Sequence, residues 1–270
     1  MTIARRWAAV EKRVGGRHKI ESYRDLLLLL VQKELKVRYQ KNVLGYLWSV
    51  GNPLSFALVY YFAFKVVMQV NVEAYPLVMM SCLFPWQWYS GAITSAPNNF
   101  LTAVVILKKV NFPRHILPLA ATLNHMIHFV FTLPVLILFV LAYQRPVFVA
   151  WLYGFPLQIL IQFVTLFGIS LILSSLNLFL RDIERLIHIL MHLAFYFTPI
   201  IYTTDLIPER YLKLLPLNPA APLMINWREL ILKGTLDWNY IFISSGYAIL
   251  FLVIGWWIYS KLSHRFAEVI

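Results

Sequence analysis

Four histidines fall in pairs whose spacing is that of a metal site. His125 and His128 are three residues apart and His188 and His192 four, so each pair brings two imidazoles onto one face of a helix. A zinc hydrolase also needs the carboxylate base of H-E-x-x-H, and between His188 and His192 stand Ile189, Leu190 and Met191 instead. The pairs therefore read as inward-facing polar groups satisfied by their neighbours, and no metal is expected. A single cysteine, Cys82, excludes both an intramolecular disulfide and a thiolate-only metal site. The sequence has no Gly-rich phosphate loop of the G-x-x-x-x-G-K-[ST] kind and no serine nucleophile elbow. If this chain moves anything uphill, the energy enters through a partner.

Acidic residues are as informative by their position. Glu73 lies between the first two apolar runs, and Asp182 and Glu184 lie at the edge of another, so the runs themselves are nearly free of carboxylates. Ion-coupled carriers use intramembrane carboxylates or broken helices near the midplane, often in inverted repeats, and that pattern is not visible here. Neither is the carbonyl filter or charged ring of a hydrophilic channel.

Aromatic residues are the other distinctive group: Tyr60, Tyr61, Phe62 and Phe64, then Phe84, Trp86, Trp88 and Tyr89, then Phe195, Tyr196, Phe197 and Tyr202. Many such residues anchor helices at membrane interfaces. The remainder suit a passage, because aromatic faces stack on the apolar faces of sugar rings while their polar edges hydrogen-bond. Tyr46 and Trp48, together with Tyr60, Tyr61, Phe64, Phe84, Trp86, Trp88, Tyr89, Tyr196 and Tyr202, are the candidates for such a lining or gate.

The elements that must carry these residues are membrane helices. Hydrophobic residues make up 60% of the chain and charged residues 13%, against roughly 25% charged in an ordinary soluble domain. The apolar runs predict an all-α membrane protein of about six spans, near 46–68, 75–96, 115–143, 149–179, 184–203 and 239–260. The third and fourth are long enough to tilt, and Pro134 and Pro156 are sites for bends. Eighteen of the 24 Lys and Arg residues fall in 1–45, 108–114, 181–185 and 261–270, against six on the opposite side. This positive-inside bias puts both ends in the cytoplasm and accounts for the net charge of +12 without nucleic acid. The first run lacks a small-residue cleavage site, which argues against a removable signal peptide.

The chain divides into a basic cytoplasmic tail at 1–22, an amphipathic interface helix at 23–45, the membrane domain at 46–260 and a short cytoplasmic tail at 261–270. In the interface helix Asp25, Gln32 and Lys36 share one face and Leu27, Leu30, Val31 and Leu35 lie towards the other, with Lys33, Lys36, Arg38 and Lys41 near anionic headgroups. The stretch from Thr203 to Asn239 is too apolar for a solvated loop and is divided by Pro208, Pro216, Pro219 and Pro222. Asn218-Pro219 opens and Gly234 closes a helix there, so short re-entrant or interfacial helices are expected at the outer face before the last span.

In their order, the landmarks resemble the permease subunits of bacterial ABC exporters for polysaccharides: O-antigen, capsule and teichoic acid exporters. They are Arg24-Asp25-Leu26, Lys36-Val37-Arg38-Tyr39, Leu44-Gly45-Tyr46-Leu47-Trp48 before Pro53, Phe112-Pro113-Arg114 with Leu117-Pro118, Arg181-Asp182-Ile183, Thr198-Pro199-Ile200-Ile201-Tyr202, and Asn218-Pro219 before Arg228. The resemblance implies a homodimer in the bacterial inner membrane, enclosing a path for a lipid-linked glycan between its protomers. It also implies two copies of a separate ATPase subunit docked beneath; ATP and magnesium would bind there, with no cofactor on this chain and no reaction of its own. On that pattern Asn98 to Arg114 and the surface helix contact the ATPase, and Leu44 to Trp48 sit by the substrate entrance. Arg24, Asp25, Lys36, Arg38, Asn98, Asn99, Lys108, Lys109, Arg114, Arg181 and Asp182 are then the residues that meet the ATPase or lipid headgroups. An ABC permease for a drug or lipid, or a secondary transporter, is the alternative.

Overall fold

The computed structural model describes residues 23–32, 51, 54, 55, 58, 59, 61–67, 69, 74–104, 107 and 112–266. The expectations for Tyr46, Trp48, Tyr60, Lys36, Arg38, Lys108, Lys109, the side chain of Phe64 and the tail at 1–22 lie outside the described residues.

Among the described residues the chain is helical and has no strand. Helix α1 covers 23–32, and a π-helical turn covers Phe62–Val67. The main elements that follow are α2 (Tyr75–Ser95), α3 (Ile116–Ala142), α4 (Trp151–Asn177) and α5 (Ile183–Phe197). After a single helical turn, α6 (Glu209–Leu212), come α7 (Ala220–Lys233) and α8 (Trp238–Leu262). Three of these, α3, α4 and α8, are long and apolar enough to cross a membrane. On α8 the exposed rings of Trp238 and Trp257 stand 19 residues apart, about 28 Å along a helix axis, which matches the separation of two membrane interfaces.

Most helix boundaries fall within two residues of the apolar runs. The fifth does not: α5 stops at Phe197 rather than 203, because Thr198 precedes Pro199 and takes an extended conformation (φ −99°, ψ 136°). Pro85, Pro134 and Pro156 lie inside helices that continue past them.

Two glycines set the closest approach in the bundle. A Cβ on Gly168 of α4 would stand 2.5 Å from the Leu252 nitrogen and the Phe251 carbonyl carbon of α8, and one on Gly255 would strike the Gly168 carbonyl oxygen. Lipid offers no hydrophobic drive for association, so such close backbone contact is how membrane helices gain attraction. One large apolar cluster, including Phe84, Trp86, Trp88, Phe129, Trp227 and Leu230, fills the space among α2, α3, α4 and α7. A second, with Leu26, Leu30, Val31, Phe100, Ile116, Leu171, Tyr259 and Phe266, closes one end of the bundle. The inward face of α1 thus includes Leu26, and it rests on protein at the ends of α3, α4 and α8.

Helix α7 is buried on nearly every side, from Ala220 to Ile231, with only Glu229 partly open. Gly234 ends it in the left-handed conformation (φ 66°), with its N–H on the Leu230 carbonyl, a geometry that glycine adopts without a Cβ penalty. Asp237 then caps α8, its carboxylate accepting from the backbone N–H groups of Asn239 and Tyr240.

Candidate functional site

Polar contacts gather at the two ends of the bundle. At one end the helix break after α5 exposes four successive carbonyl groups, and each finds a side-chain donor. Arg228 of α7 donates from Nη2 to Pro199 O (2.6 Å) and Ile200 O (3.0 Å) and from Nη1 to Tyr202 O (3.0 Å). The Tyr75 hydroxyl, at the start of α2, donates to Ile201 O (2.8 Å). Thr198 donates its hydroxyl to Ala194 O (2.6 Å) and accepts from Asn218 Nδ2 (2.9 Å), while Asn218 Oδ1 takes the Ala220 N–H at the start of α7. The Thr198-Pro199-Ile200-Ile201-Tyr202, Asn218-Pro219 and Arg228 landmarks, separate in sequence, are therefore one structure. Arg228 is 5% exposed, and among the described residues no carboxylate pairs with it. The carbonyl dipoles offset the desolvation of its charge.

At the other end amides and hydroxyls take the carbonyls of Ala96 and Pro97, and a cation takes only that of Ser263. Asn99 Nδ2 donates to Ser170 Oγ (2.9 Å) and Ser174 Oγ (3.3 Å), Ser174 Oγ donates to Ala96 O (2.8 Å), and Asn177 Nδ2 donates to Pro97 O (3.0 Å). These bonds seam the 3₁₀ turn that follows α2 to the last turns of α4. Asn98 Nδ2 reaches Glu184 Oε1 (2.8 Å) in the first turn of α5. Arg114 donates to Ser263 O (2.8 Å) at the end of α8, a favourable place for a cation, and its guanidinium lies 5.6 Å from the Phe266 ring centre. Arg24, Arg181 and Asp182 are exposed at this end, and Asp25 is half-buried.

The aromatic candidates divide by burial. Phe84, Trp86, Trp88 and Tyr89 are at most 4% exposed, enclosed by the chain's own side chains. Trp88 stacks on Phe129 at 5.1 Å, and Phe129 meets the edge of Trp227 at 5.1 Å. Tyr61 and Tyr196 stay exposed, and Tyr202 is half-buried, its hydroxyl donating to Tyr196 O (3.0 Å). Helix α5 has no buried residue at all. It leans on the bundle along Ile183, Ile187, Met191 and Ala194 and leaves Leu186, Ile189, Leu190, Leu193, Tyr196 and Phe197 open.

Among the described residues no group of three His, Cys, Asp or Glu side chains is placed to hold a metal ion, and His188 and His192, expected to face inward, are exposed on α5. His125 pairs with Ser95 (Nε2 to Oγ, 2.9 Å), and the His192 ring contacts the His188 carbonyl within its own helix. Sequence reasoning missed Gln162, whose amide donates to Pro85 O (2.9 Å) and accepts from the Trp227 indole (2.8 Å) deep between α2, α4 and α7. The signal was available: Gln158, Gln162 and Thr165, then Ser170, Ser174 and Asn177, fall at helical spacing in an otherwise apolar run, and all six are buried.

The family model for the ABC-2 type transporter matches residues 25–232. Two proteins of Klebsiella pneumoniae, each named O-antigen export system permease protein RfbA, are 42% identical to this chain over 246 residues, covering 91% of it and 95% of their own length. A protein of the same name from Myxococcus xanthus is 33% identical over 221 residues, 81% of this chain and 84% of its own. The matched region runs from α1 through α7 and includes the Arg228 cluster and the Asn99–Asn177 seam, and the chain belongs to the ABC-2 type transporter family as one of its membrane permeases.

Proposed function

We propose that this chain is the membrane-spanning subunit of an ATP-driven exporter that carries a lipid-linked, O-antigen-like polysaccharide from the cytoplasm across the inner membrane. The observation that carries this reading is the likeness, over 91% of the chain, to permeases named for O-antigen export. It has six spans and both termini in the cytoplasm. The Arg114 end faces the cytoplasm and the Arg228 end faces outward, with α6 and α7 as short re-entrant helices at the outer face. Two copies form a homodimer, and two copies of a separate ATPase, which hold ATP and magnesium, dock beneath.

In this reading Arg24, Asp25, Lys36, Arg38, Asn98, Asn99, Lys108, Lys109, Arg114, Arg181 and Asp182 meet the ATPase or the lipid headgroups. The exposed face of α5, with Tyr196, borders the glycan path together with Tyr61, and Tyr46 and Trp48 stand at its entrance. Exposed aromatic faces let sugar rings slide, because stacking is sequence-tolerant and no charge traps the polymer. Phe84, Trp86, Trp88 and Tyr89 support this surface from behind. Asn98, which bonds Glu184, gives the ATPase-contacting segment a direct hold on the first turn of α5.

Deletion of the gene tests the reading. Lipid-linked polymer should accumulate inside the cell and reappear at the surface when the chain is restored, and the chain should copurify with an ATPase. Normal surface glycan in the deletion strain would refute it.

A further inference from the structure

We propose that Arg228 is a positioning residue for export: it ties the Thr198–Tyr202 turn to α7 and so sets where α5 holds its exposed face. The proposal rests on the reading that this face borders the path.

Thr198-Pro199 ends α5, and past that break the carbonyls of 199, 200 and 202 accept from Arg228. A buried guanidinium has to keep such acceptors, so the turn is held against α7 in an arrangement that meets all three carbonyls. Arg228 thus fixes the orientation of the broken segment, the break itself being set by Thr198-Pro199. No other charged side chain touches the turn among the described residues, and α7, which carries Arg228, is itself gripped by buried contacts at Leu223, Met224, Trp227 and Leu230. The clasp therefore joins a fixed helix to a loosely held one. Tyr75 completes it from α2, and Asn218 ties the same turn to the start of α7. Sequence distance hides the arrangement, since 26 residues separate Tyr202 from Arg228.

The test uses the full permease with its ATPase partner in membranes. In a Cys82→Ser background, Tyr196→Cys gives α5 a single thiol whose labelling rate by a membrane-impermeant maleimide reports its position. Adding Arg228→Met should change that rate at least threefold, with copurification of the ATPase unchanged. Arg228→Lys, which keeps the charge but has fewer donors, should return it part of the way. Tyr75→Phe, which removes the hydroxyl donor to the Ile201 carbonyl, should shift the rate in the same direction, and Arg228→Lys decides the matter if Arg228→Met fails to assemble. Labelling within threefold of the parent in every assembled variant would overturn the proposal. Because the labelling requires no glycan, it fails or succeeds separately from the assignment of the substrate.

Discussion

The two ends of the bundle solve one problem with different chemistry. Each must satisfy backbone carbonyls where helices stop inside or beside an apolar medium. At the Arg228 end one buried cation gathers three of them, with a tyrosine on the fourth; at the Arg114 end neutral amides and hydroxyls share the work along a seam, and Arg114 takes the single carbonyl of Ser263. A cation held by dipoles depends on a single side chain, and its loss strands several acceptors together. A seam of neutral bonds distributes the load, so each member matters less. The single cation belongs where a helix is anchored at one point, and the seam belongs where two helices, α2 and α4, run into a common surface.

Four substitutions break or sharpen this contrast. The largest effect is expected away from both ends, at the α4–α8 contact they share: Gly168→Val forces a side chain into the Leu252 and Phe251 backbone, and a loss of about 4 kcal/mol or more should leave no monodisperse protein on size exclusion. Next comes Arg228→Met, which leaves three carbonyls without their donor. A cost of about 3 kcal/mol is expected, read as a lower unfolding midpoint in detergent. Asn99→Ala removes two bonds from the seam at the other end, and about 1 kcal/mol is expected by the same measurement. A larger loss at Asn99 than at Arg228 would erase the distinction between the ends. The smallest effect is at Lys233, whose pair with Glu229 (2.9 Å) lies on a largely exposed side chain; Lys233→Ala should cost no more than about 0.5 kcal/mol and leave the midpoint unchanged.

Much of the fold was legible because membrane helices announce themselves by continuous apolar runs. The spans at 75–96, 115–143, 149–179 and 239–260 have counterparts in α2, α3, α4 and α8. Asn218-Pro219 and Gly234 bracketed α7 correctly, since an asparagine that takes a backbone N–H and a left-handed glycine act locally. The end of α5 was misjudged by about six residues because hydropathy continues through Pro199-Ile200-Ile201 while the backbone cannot. For the candidate site, the landmark residues were visible, but their meeting was not. Phe84, Trp86 and Trp88 looked in sequence like Tyr61 and Tyr196; only packing separates the enclosed rings from the exposed ones.

The sequence by itself determined that this chain is helical and apolar, that 18 of its 24 Lys and Arg residues fall in the four segments 1–45, 108–114, 181–185 and 261–270, and that it carries no phosphate loop of its own. Those properties follow from composition and short-range periodicity, which need no knowledge of neighbours. The tertiary structure decided that Arg228 closes on the turn after α5, that Gln162 links Pro85 to Trp227, and that Gly168 meets Gly255. Such contacts join residues tens of positions apart, and their energies depend on distances that only the assembled bundle fixes.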